Sequence, residues 1–600
     1  KCFFMLSRIA CLFSIIFLLY TAFFFYPKWQ KTATEATISW DVSGYYWYLP
    51  AIFIYKDLKE QSFTDSIIKK YQPTPEVFQS AMRDGKRVMT YSAGMAVMYL
   101  PAFAIAHALA EPLGYAADGF SPPYQFAISM ISLLAACIGV WQFRRFLLLY
   151  YSDTVTAIVL LCLVIGSNYL NYAAIDAALT HNWLFTIYVL LLLNTHFFFQ
   201  KPNVKNAIGI GICCGLAILI RPSEIISILI PLLWGMENIS KKQFSKQLNY
   251  LRLQARYIGL VSTLIILIGC IQLIYWKYAS GHWLVYSYGD QGFSWLHPHT
   301  YDYTLSARSG WISYTPLALL FFIGIIPFVK YGRNKVAVLI FFALNLYIVS
   351  AWDIWWYGGT GGRAMIQSYP IIMLPFASLL TWLGKHKIGS LIAAPFILLF
   401  VYINIWFTAN AHGKPGLYDP EGMSRSYYRA VIGRWNVSPE TQKLKDAQNI
   451  YEGTLYNKML LYQNGFEDDT ISTTNEAPID GKRSIYLDGD HQYSTTYSFT
   501  YKEQPQWLRV QAVFGIGSKE WTAWRMAQMV VRIYIKGDKA AETILRSHRF
   551  LNDNEIKPLF MDVKLPTKHA DSVVVLFWNA ESTVPIRIDN LQVWGYDDGF

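Results

Sequence analysis

Apolar runs of about 18 residues or more recur through the first two-thirds of this chain, and each is long enough to cross the roughly 30 Å hydrocarbon core of a bilayer as a helix. Backbone groups inside lipid must be satisfied within the segment, so such runs fold as helices. Hydrophobic residues are 54% of the 600-residue chain and charged residues 15%, the balance of a polytopic helical membrane protein. The opening run, Phe3 to Tyr26, is too long for a signal-peptide core and lacks a small-residue cleavage pattern, so it reads as a retained first helix. Further spans are expected at 124–147, 153–170, 183–199, 257–276, 312–330, 336–351, 366–383 and 388–408.

Two stretches need the charge pattern to place them. Residues 206–236 contain Ile220-Arg221-Pro222-Ser223-Glu224 and run into basic loops on both sides, Lys201 to Lys205 before and Lys241 to Arg256 after. Basic flanks on one side require the chain to enter and return, as two short helices with Arg221 at the tip. Residues 93–112 are apolar enough to span. Counting them as a span would place Arg144-Arg145, Lys201, Lys241-Lys242, Lys330 to Lys335 and Lys385 to Lys387 outside; laying them on the outer surface puts every one of these in the cytoplasm with Arg8. The second arrangement is expected, with about eleven spans, the N-terminus inside, the C-terminus outside, and outer loops 28–122, 277–311 and 352–365. The net charge of +11 then records orientation and does not point to nucleic acid. The expected setting is a bacterial inner membrane, with the C-terminal part periplasmic.

The seven cysteines, Cys2, Cys11, Cys137, Cys162, Cys213, Cys214 and Cys270, all lie in or beside apolar runs, so neither a disulfide framework nor a cysteine metal site is implied. From about residue 410 the composition changes. Ser484 to Leu487, Trp507 to Val513, Val530 to Ile535, Ser572 to Trp578 and Ile586 to Trp594 have strand character, and short strands separated by turn residues predict an all-β sandwich. The expected organisation is a membrane domain over 1–409, a linker over 410–450 containing Gly413-Lys414-Pro415-Gly416 and a short helix, and a sandwich over 451–600.

The expected outer loops hold Asp41, Lys86, Arg87, Tyr91, Asp176, His181, Lys277, His282, His297, His299, Asp302, Arg308, Asp353 and Arg363, among many Trp and Tyr. Carboxylates, cations and aromatic platforms at a membrane surface suit a substrate with a phosphate, a sugar and a lipid tail. Arg and Lys hold the phosphate, a ring stacks on the sugar, and a carboxylate deprotonates an incoming hydroxyl. Asp41, just after the first helix, is the leading candidate base, and Asp176 a second carboxylate. Candidate substrate-binding residues are Lys86, Arg87, His181, Arg221, Arg308, Trp355, Trp356 and Arg363. Each has a plainer reading: Asp41 and Asp176 as helix caps, His181 as a satisfied interface histidine, Arg363 as a headgroup snorkel, Trp352, Trp355 and Trp356 as an interfacial belt. His297-Pro298-His299 with Asp302 is too loosely spaced for a convincing metal site.

Several of these elements resemble the GT-C class of polyprenyl-phosphate-sugar-dependent glycosyltransferases, which includes the protein O-mannosyltransferases and the lipid A aminoarabinose transferase. The resemblance covers roughly residues 1–410. It rests on Asp41 after the first helix, Tyr45-Tyr46-Trp47-Tyr48, Tyr99-Leu100-Pro101, Arg144-Arg145, Thr180-His181, and Trp355-Trp356-Tyr357-Gly358-Gly359 through Gly362-Arg363. It implies an inverting transfer of a sugar from a polyprenyl-phosphate donor to a glycan, lipid or protein acceptor at the outer face, with Asp41 as base and Arg363, Arg308, Lys86 and Arg221 on the departing phosphate. The chain departs from that pattern in having no second acid adjoining Asp41 and no Pro-Pro motif in its usual place. The C-terminal part resembles jelly-roll carbohydrate-binding modules in Asn464-Gly465-Phe466-Glu467 and Ile588-Asp589-Asn590-Leu591-Gln592-Val593, and the resemblance implies a structural Ca²⁺ on Glu467 and Asp589. No other cofactor is called for. Trp507, Trp521, Trp524 and Trp578 are candidates for stacking on sugars, with a core role as the alternative. A lipid-linked-sugar transporter and a noncatalytic glycan-binding envelope protein remain as competing functions.

Overall fold

The computed structural model describes residues 5–597 other than 290, 357, 360, 414–416, 420, 421, 448–450 and 452. Cys2, Tyr357 and Lys414-Pro415-Gly416 lie outside the described residues. Two compact units are present, Lys1–Gly416 and Leu417–Phe600.

The first unit is a helical bundle. Among the described residues six helices are long and apolar enough to cross a membrane: Met5–Gln30, Pro122–Leu147, Thr180–Gln200, Ala255–Ser280, Arg363–Leu383 and Lys387–His412. Shorter apolar helices are Gly94–Ala110, Asp153–Ile165, Val204–Ile220, Pro222–Leu233, Ala318–Tyr331 and Lys335–Ala351. Local chemistry sets several boundaries. The Ser152 hydroxyl accepts from Val155 N and the Asn203 side chain from Asn206 N, capping the helices that follow. Arg221, preceding Pro222, is extended at φ −143°, which ends Val204–Ile220 and turns the chain back into a 3₁₀ turn over Pro222–Ile228. The helices pack through small residues and polar ties. Asn182 Nδ2 donates to Ser132 O at 2.8 Å, Thr186 Oγ1 to Ala135 O at 2.8 Å, and a Cβ added at Gly211 or Gly215 would meet Leu264 at 2.9 Å or Ile268 at 2.8 Å.

Contacts sort the helix termini into two ends. At one, the carboxylate of Asp153 accepts from Leu6 N and Ser7 N, Arg144 Nε donates to Ser7 Oγ at 2.9 Å, Tyr150 OH meets His196 Nδ1 at 2.5 Å, and Gly235 N donates to Asn334 Oδ1 at 3.0 Å. Arg8, Arg144-Arg145, Lys201, Lys241-Lys242, Lys330 to Lys335 and Lys385 to Lys387 belong to this end. At the other lie the first-loop helices Trp40–Tyr46 and Tyr48–Phe53, the hairpin Ser80–Arg83/Lys86–Met89, and the segments around 176, 220, 280, 352 and 363. The helix Gly94–Ala110 has both ends here. Ala93 N donates to Gln272 Oε1 at 2.8 Å, Gly94 abuts the Ile220 backbone, and His107 Nδ1 meets Tyr124 OH at 2.7 Å.

The second unit is a β-sandwich. One sheet runs Ile556–Lys564, Trp507–Ile516, Ile586–Asp597, Ser484–Leu487, Thr473–Thr474, with Tyr456–Asn464 also paired to Ile586–Asp597. The other runs Tyr497–Phe499, Ser572–Trp578, Gln528–Ile535, Asp538–Arg546. Alternate residues face the core: Leu508, Val510, Ala512, Phe514 and Ile516 on one sheet, Val573, Val575 and Phe577 on the other, with Phe514 and Phe577 meeting edge-on at 5.8 Å. Apart from Ala512, each such side chain contributes about 1.5–3 kcal/mol on burial. A bulge at Asn590, φ +50°, shifts the parity so that Ile588 and Leu591 both point inward. Part of the 410–450 stretch is tied to this unit: Arg549 Nη1 lies 2.6 Å from Asp419, and the buried Asp446 carboxylate accepts from Arg546 and is ion-paired with Arg549.

Candidate active site

Asp41 sits in the first turn of Trp40–Tyr46, directly after Trp40, whose φ of +44° is unusual for a bulky residue and is held by a hydrogen bond from Trp40 N to Pro73 O. The helix cap is Ser39, so Asp41 does not serve as one. Its carboxylate turns instead to two partners distant in sequence. Arg363 Nη2 donates to Oδ2 at 2.8 Å, and Tyr91 OH donates to Oδ1 at 2.9 Å. Gly44, one turn on, makes room for the Tyr91 ring, because a Cβ there would lie 2.4 Å from Tyr91 Cδ2. Burial first, and the Asp41 charge next, push the Tyr91 hydroxyl well above its ordinary pKa, so it stays a proton donor to Asp41.

Arg363 opens a 3₁₀ turn, Arg363–Ser368, behind the Gly-rich loop. Gly362 N donates to Ser309 O at 3.1 Å, joining that loop to 306–311, where the Arg308 guanidinium lies 4.5 Å over Trp356. Trp356 meets Trp355 at 5.6 Å in a T-shaped pair. The chain thus links Asp41, Arg363, Arg308, Trp355 and Trp356.

Alongside runs a buried polar line. His181 Nδ1 is 3.0 Å from Gln367 Oε1, which assigns the proton to Nδ1 and leaves Nε2 as an acceptor. Gln367 Nε2 donates to Glu224 Oε1 at 3.1 Å, and Tyr188 OH donates to Glu224 Oε2 at 2.6 Å. Arg221 and Arg363 both lie within electrostatic reach of His181 and of Tyr45, whose ring is 4.5 Å from Tyr91. For the Tyr45 hydroxyl, burial and the Asp41 charge raise the pKa, and the two guanidinium groups pull the other way. Arg221 and Arg363 therefore both reach the aromatic wall beside Asp41, and Arg221 also lies within electrostatic reach of Glu224.

The remaining sequence candidates lie elsewhere. Asp176 pairs with Lys28 and accepts from Asn171 Nδ2 at 2.9 Å, and Asn171 Oδ1 is 2.5 Å from His412 Nε2. Burial opposes ionisation of Asp176, but Lys28 and then His412 hold it below the usual carboxylate range. This is a separate cluster, at the ends of two π-helical segments, Thr21–Phe25 and Asn171–Ile175. Lys86 is exposed on the hairpin near Gly281 and Arg87 is half-buried beside it; among the described contacts neither touches Asp41. Asp353 accepts from Gly292 N and Ser294 Oγ.

In the sandwich, Glu467 accepts from Lys482 N, and the buried Asp589 accepts from Asp480 N, Ser484 Oγ and Asn590 N. Both carboxylates are tied to nearby donors, and among the described residues no group of three or more His, Cys, Asp or Glu could hold a metal ion, so a Ca²⁺ on Glu467 and Asp589 would need backbone carbonyls and water for the rest of its ligands. Trp507 is buried and Trp578 stacks on Tyr493 at 5.7 Å, whereas Trp521 and Trp524 are exposed.

Glu224, Gln367, Lys28, Asn171 and His412 were not singled out from the sequence. Only Glu224, an acid inside an otherwise apolar stretch, carried a signal of its own.

No family model matches this chain, and no curated protein matches it. Among solved structures, the cryo-EM structure of arabinosyltransferase EmbB from Mycobacterium smegmatis is similar over 97% of this chain and 64% of its own, at 12% identity and a TM-score of 0.32. A family 16 carbohydrate-binding module-2 is similar over 20% of this chain and 82% of its own, at 18% identity and a TM-score of 0.15. Likenesses this slight carry no argument about activity, which has to come from the site.

Proposed function

We propose that the chain is an inverting membrane glycosyltransferase that moves a sugar from a polyprenyl-phosphate donor to an acceptor hydroxyl at the outer, periplasmic face. The observation that carries this reading is the Asp41 carboxylate held between Arg363 and Tyr91 at the end of the bundle opposite the basic clusters. With the six long apolar helices and the five shorter ones other than Gly94–Ala110 as spans, the chain crosses eleven times. The positive-inside rule then turns the basic end to the cytoplasm and Asp41 outward.

In the proposed reaction the acceptor oxygen attacks the anomeric carbon from the side opposite the phosphate. The carbon–oxygen bond to phosphate breaks, its electrons leave on the phosphate, and the acceptor proton passes to Asp41. Arg363 has two tasks. It aligns Asp41 while the site is empty, and it turns to the phosphate as negative charge builds there, joined by Arg221 and Arg308. Tyr91 keeps the carboxylate oriented throughout, and Trp355 and Trp356 offer faces to the sugar. Glu224 and Gln367 fix His181 beside the two arginines. Residues 1–409 supply this chemistry, and the sandwich that follows the 410–450 stretch binds glycan.

The test is transfer by purified protein with a panel of polyprenyl-phosphate sugars. Asp41→Asn, which cannot accept the proton, abolishes transfer and leaves donor binding largely intact. Equal turnover by the two proteins removes Asp41 as the base.

A further inference from the structure

The basic end of the bundle carries a cavity of about 260 Å³, far from Asp41. Its walls come from the turn after Pro122–Leu147, the end of Ala318–Tyr331, the turn 332–334, and the end of Arg363–Leu383 with residues 385 and 386. Arg333 and Lys385 line it together with His386, and no described carboxylate does. The nearby acid, Glu237, is already engaged by Lys335 and by Asn334 N. Tyr331 and Trp382 stand exposed at the rim, while Phe328 and Leu374 form a buried apolar wall. Lys385 and Lys330 both lie over the Tyr331 ring, at 5.9 and 5.2 Å.

A second feature fixes the depth of this cavity. The helix Lys241–Leu253 buries no residue in the bundle. It exposes Phe244, Leu248 and Leu253 beside Lys241, Lys242, Lys246 and Arg252, the composition of a helix lying in the plane of a lipid interface. The segment leading into it is tied to the cavity wall by Gly235 N donating to Asn334 Oδ1 and Asn334 N donating to Glu237. The cavity therefore opens at headgroup level, with cations over aromatic rings at the mouth and an apolar wall behind.

We propose that this cavity is a binding site for an anionic glycerophospholipid, its phosphodiester held by Arg333 and Lys385 and its glycerol and upper acyl carbons against Phe328 and Leu374. Cations alone would attract any phosphate. The apolar wall and the rim aromatics select one that arrives on a lipid, and a basic pocket between transmembrane helices is a recurrent form of headgroup site. The proposal stands independently of the transferase reading, since it uses neither Asp41 nor its partners.

Native mass spectrometry of the full chain, released from detergent and titrated with phosphatidylglycerol, phosphatidylcholine, a polyprenyl phosphate or inorganic phosphate, tests it. Phosphatidylglycerol is expected to bind in preference to the other three. Arg333→Gln with Lys385→Gln weakens it about fivefold for each cation removed, and Lys201→Gln with Lys205→Gln, which removes equal charge from the same end, leaves it unchanged. Both positions in the first pair are exposed, so the fold is not at risk. Equal weakening by the two double variants would mean diffuse surface charge and overturn the site. Tighter retention of inorganic phosphate or of the polyprenyl phosphate would overturn the lipid class.

Discussion

Tyr91 and Arg363 divide the two oxygens of Asp41 between them, and their side chains make different demands. The Tyr91 hydroxyl supplies one hydrogen bond to a charged acceptor, worth about 1.5–3 kcal/mol. Tyr91→Phe is therefore expected to lower kcat about tenfold or more with little change in KM, because the carboxylate loses its orientation and the donor loses nothing. In the proposed reaction Arg363 both aligns Asp41 and meets the phosphate, so Arg363→Ala should lower kcat about a hundredfold or more, in the range of removing one stabiliser of developing charge, and Arg363→Lys should recover only part. Steady-state kinetics with one donor checks both. If Tyr91→Phe changed KM alone, the hydroxyl would be contacting substrate and not positioning the base. Much of this site was open to inspection in the sequence as separate residues: Asp41, Arg221, Arg308 and Arg363 are charges beside long apolar runs, where an ionised group is costly. Their partnerships were not. Asp41 and Arg363 are 322 positions apart, and nothing local to either dictates the pairing.

Elements meet where side chains are small. The Gly211-Ile212-Cys213-Cys214-Gly215 segment lets Val204–Ile220 approach Ala255–Ser280 closely. That contact sets the position of Ile220, against which Gly94 packs, and of Arg221 just beyond it. Gly215→Val is expected to cost about 1–3 kcal/mol by overpacking against Ile268 and to lower activity by displacing Arg221. Thermal unfolding in detergent with a parallel activity assay checks this, and an unchanged midpoint would mean the helices can separate freely there. The break at Arg221-Pro222 was legible because proline and a charge interrupt an apolar run, a strictly local signal. The π-helical segments at Thr21–Phe25 and Asn171–Ile175 were not legible. They lie beside the Lys28–Asp176 pair, a partnership across 148 positions that residue order does not reveal. In the sandwich the alternation of Leu508, Val510, Ala512 and Phe514 was plain, but the parity shift at Asn590 depends on a single left-handed residue.

At the scale of the whole molecule the two units answer to different conditions. The second contains an acid-sensitive joint. Burial of Asp419 opposes its ionisation, yet Lys445 and Arg549 hold its pKa at about 2, below its ordinary value of 3.8. A carboxylate depressed on folding adds stability above its unfolded value and loses it as pH falls through the folded one, so about 2 kcal/mol disappears between roughly pH 4 and pH 2. Hydrogen exchange in Asp538–Arg546 and the strands beside it should accelerate over that window in the full chain and do so far less in Asp419→Asn. Identical profiles would assign the acid sensitivity to other groups. The first unit answers to the membrane. Its segregation of basic residues at one end and the Asp41–Arg363 pair at the other underlies the proposed placement of the reaction centre at the outer face. Glu60 and Lys246 are exposed at those opposite ends. Labelling of Glu60→Cys and Lys246→Cys in intact cells with a membrane-impermeant maleimide is the direct measurement. The account predicts that position 60 reacts at once and position 246 only after the membrane is opened, whereas prompt labelling at 246 with protection at 60 would contradict it.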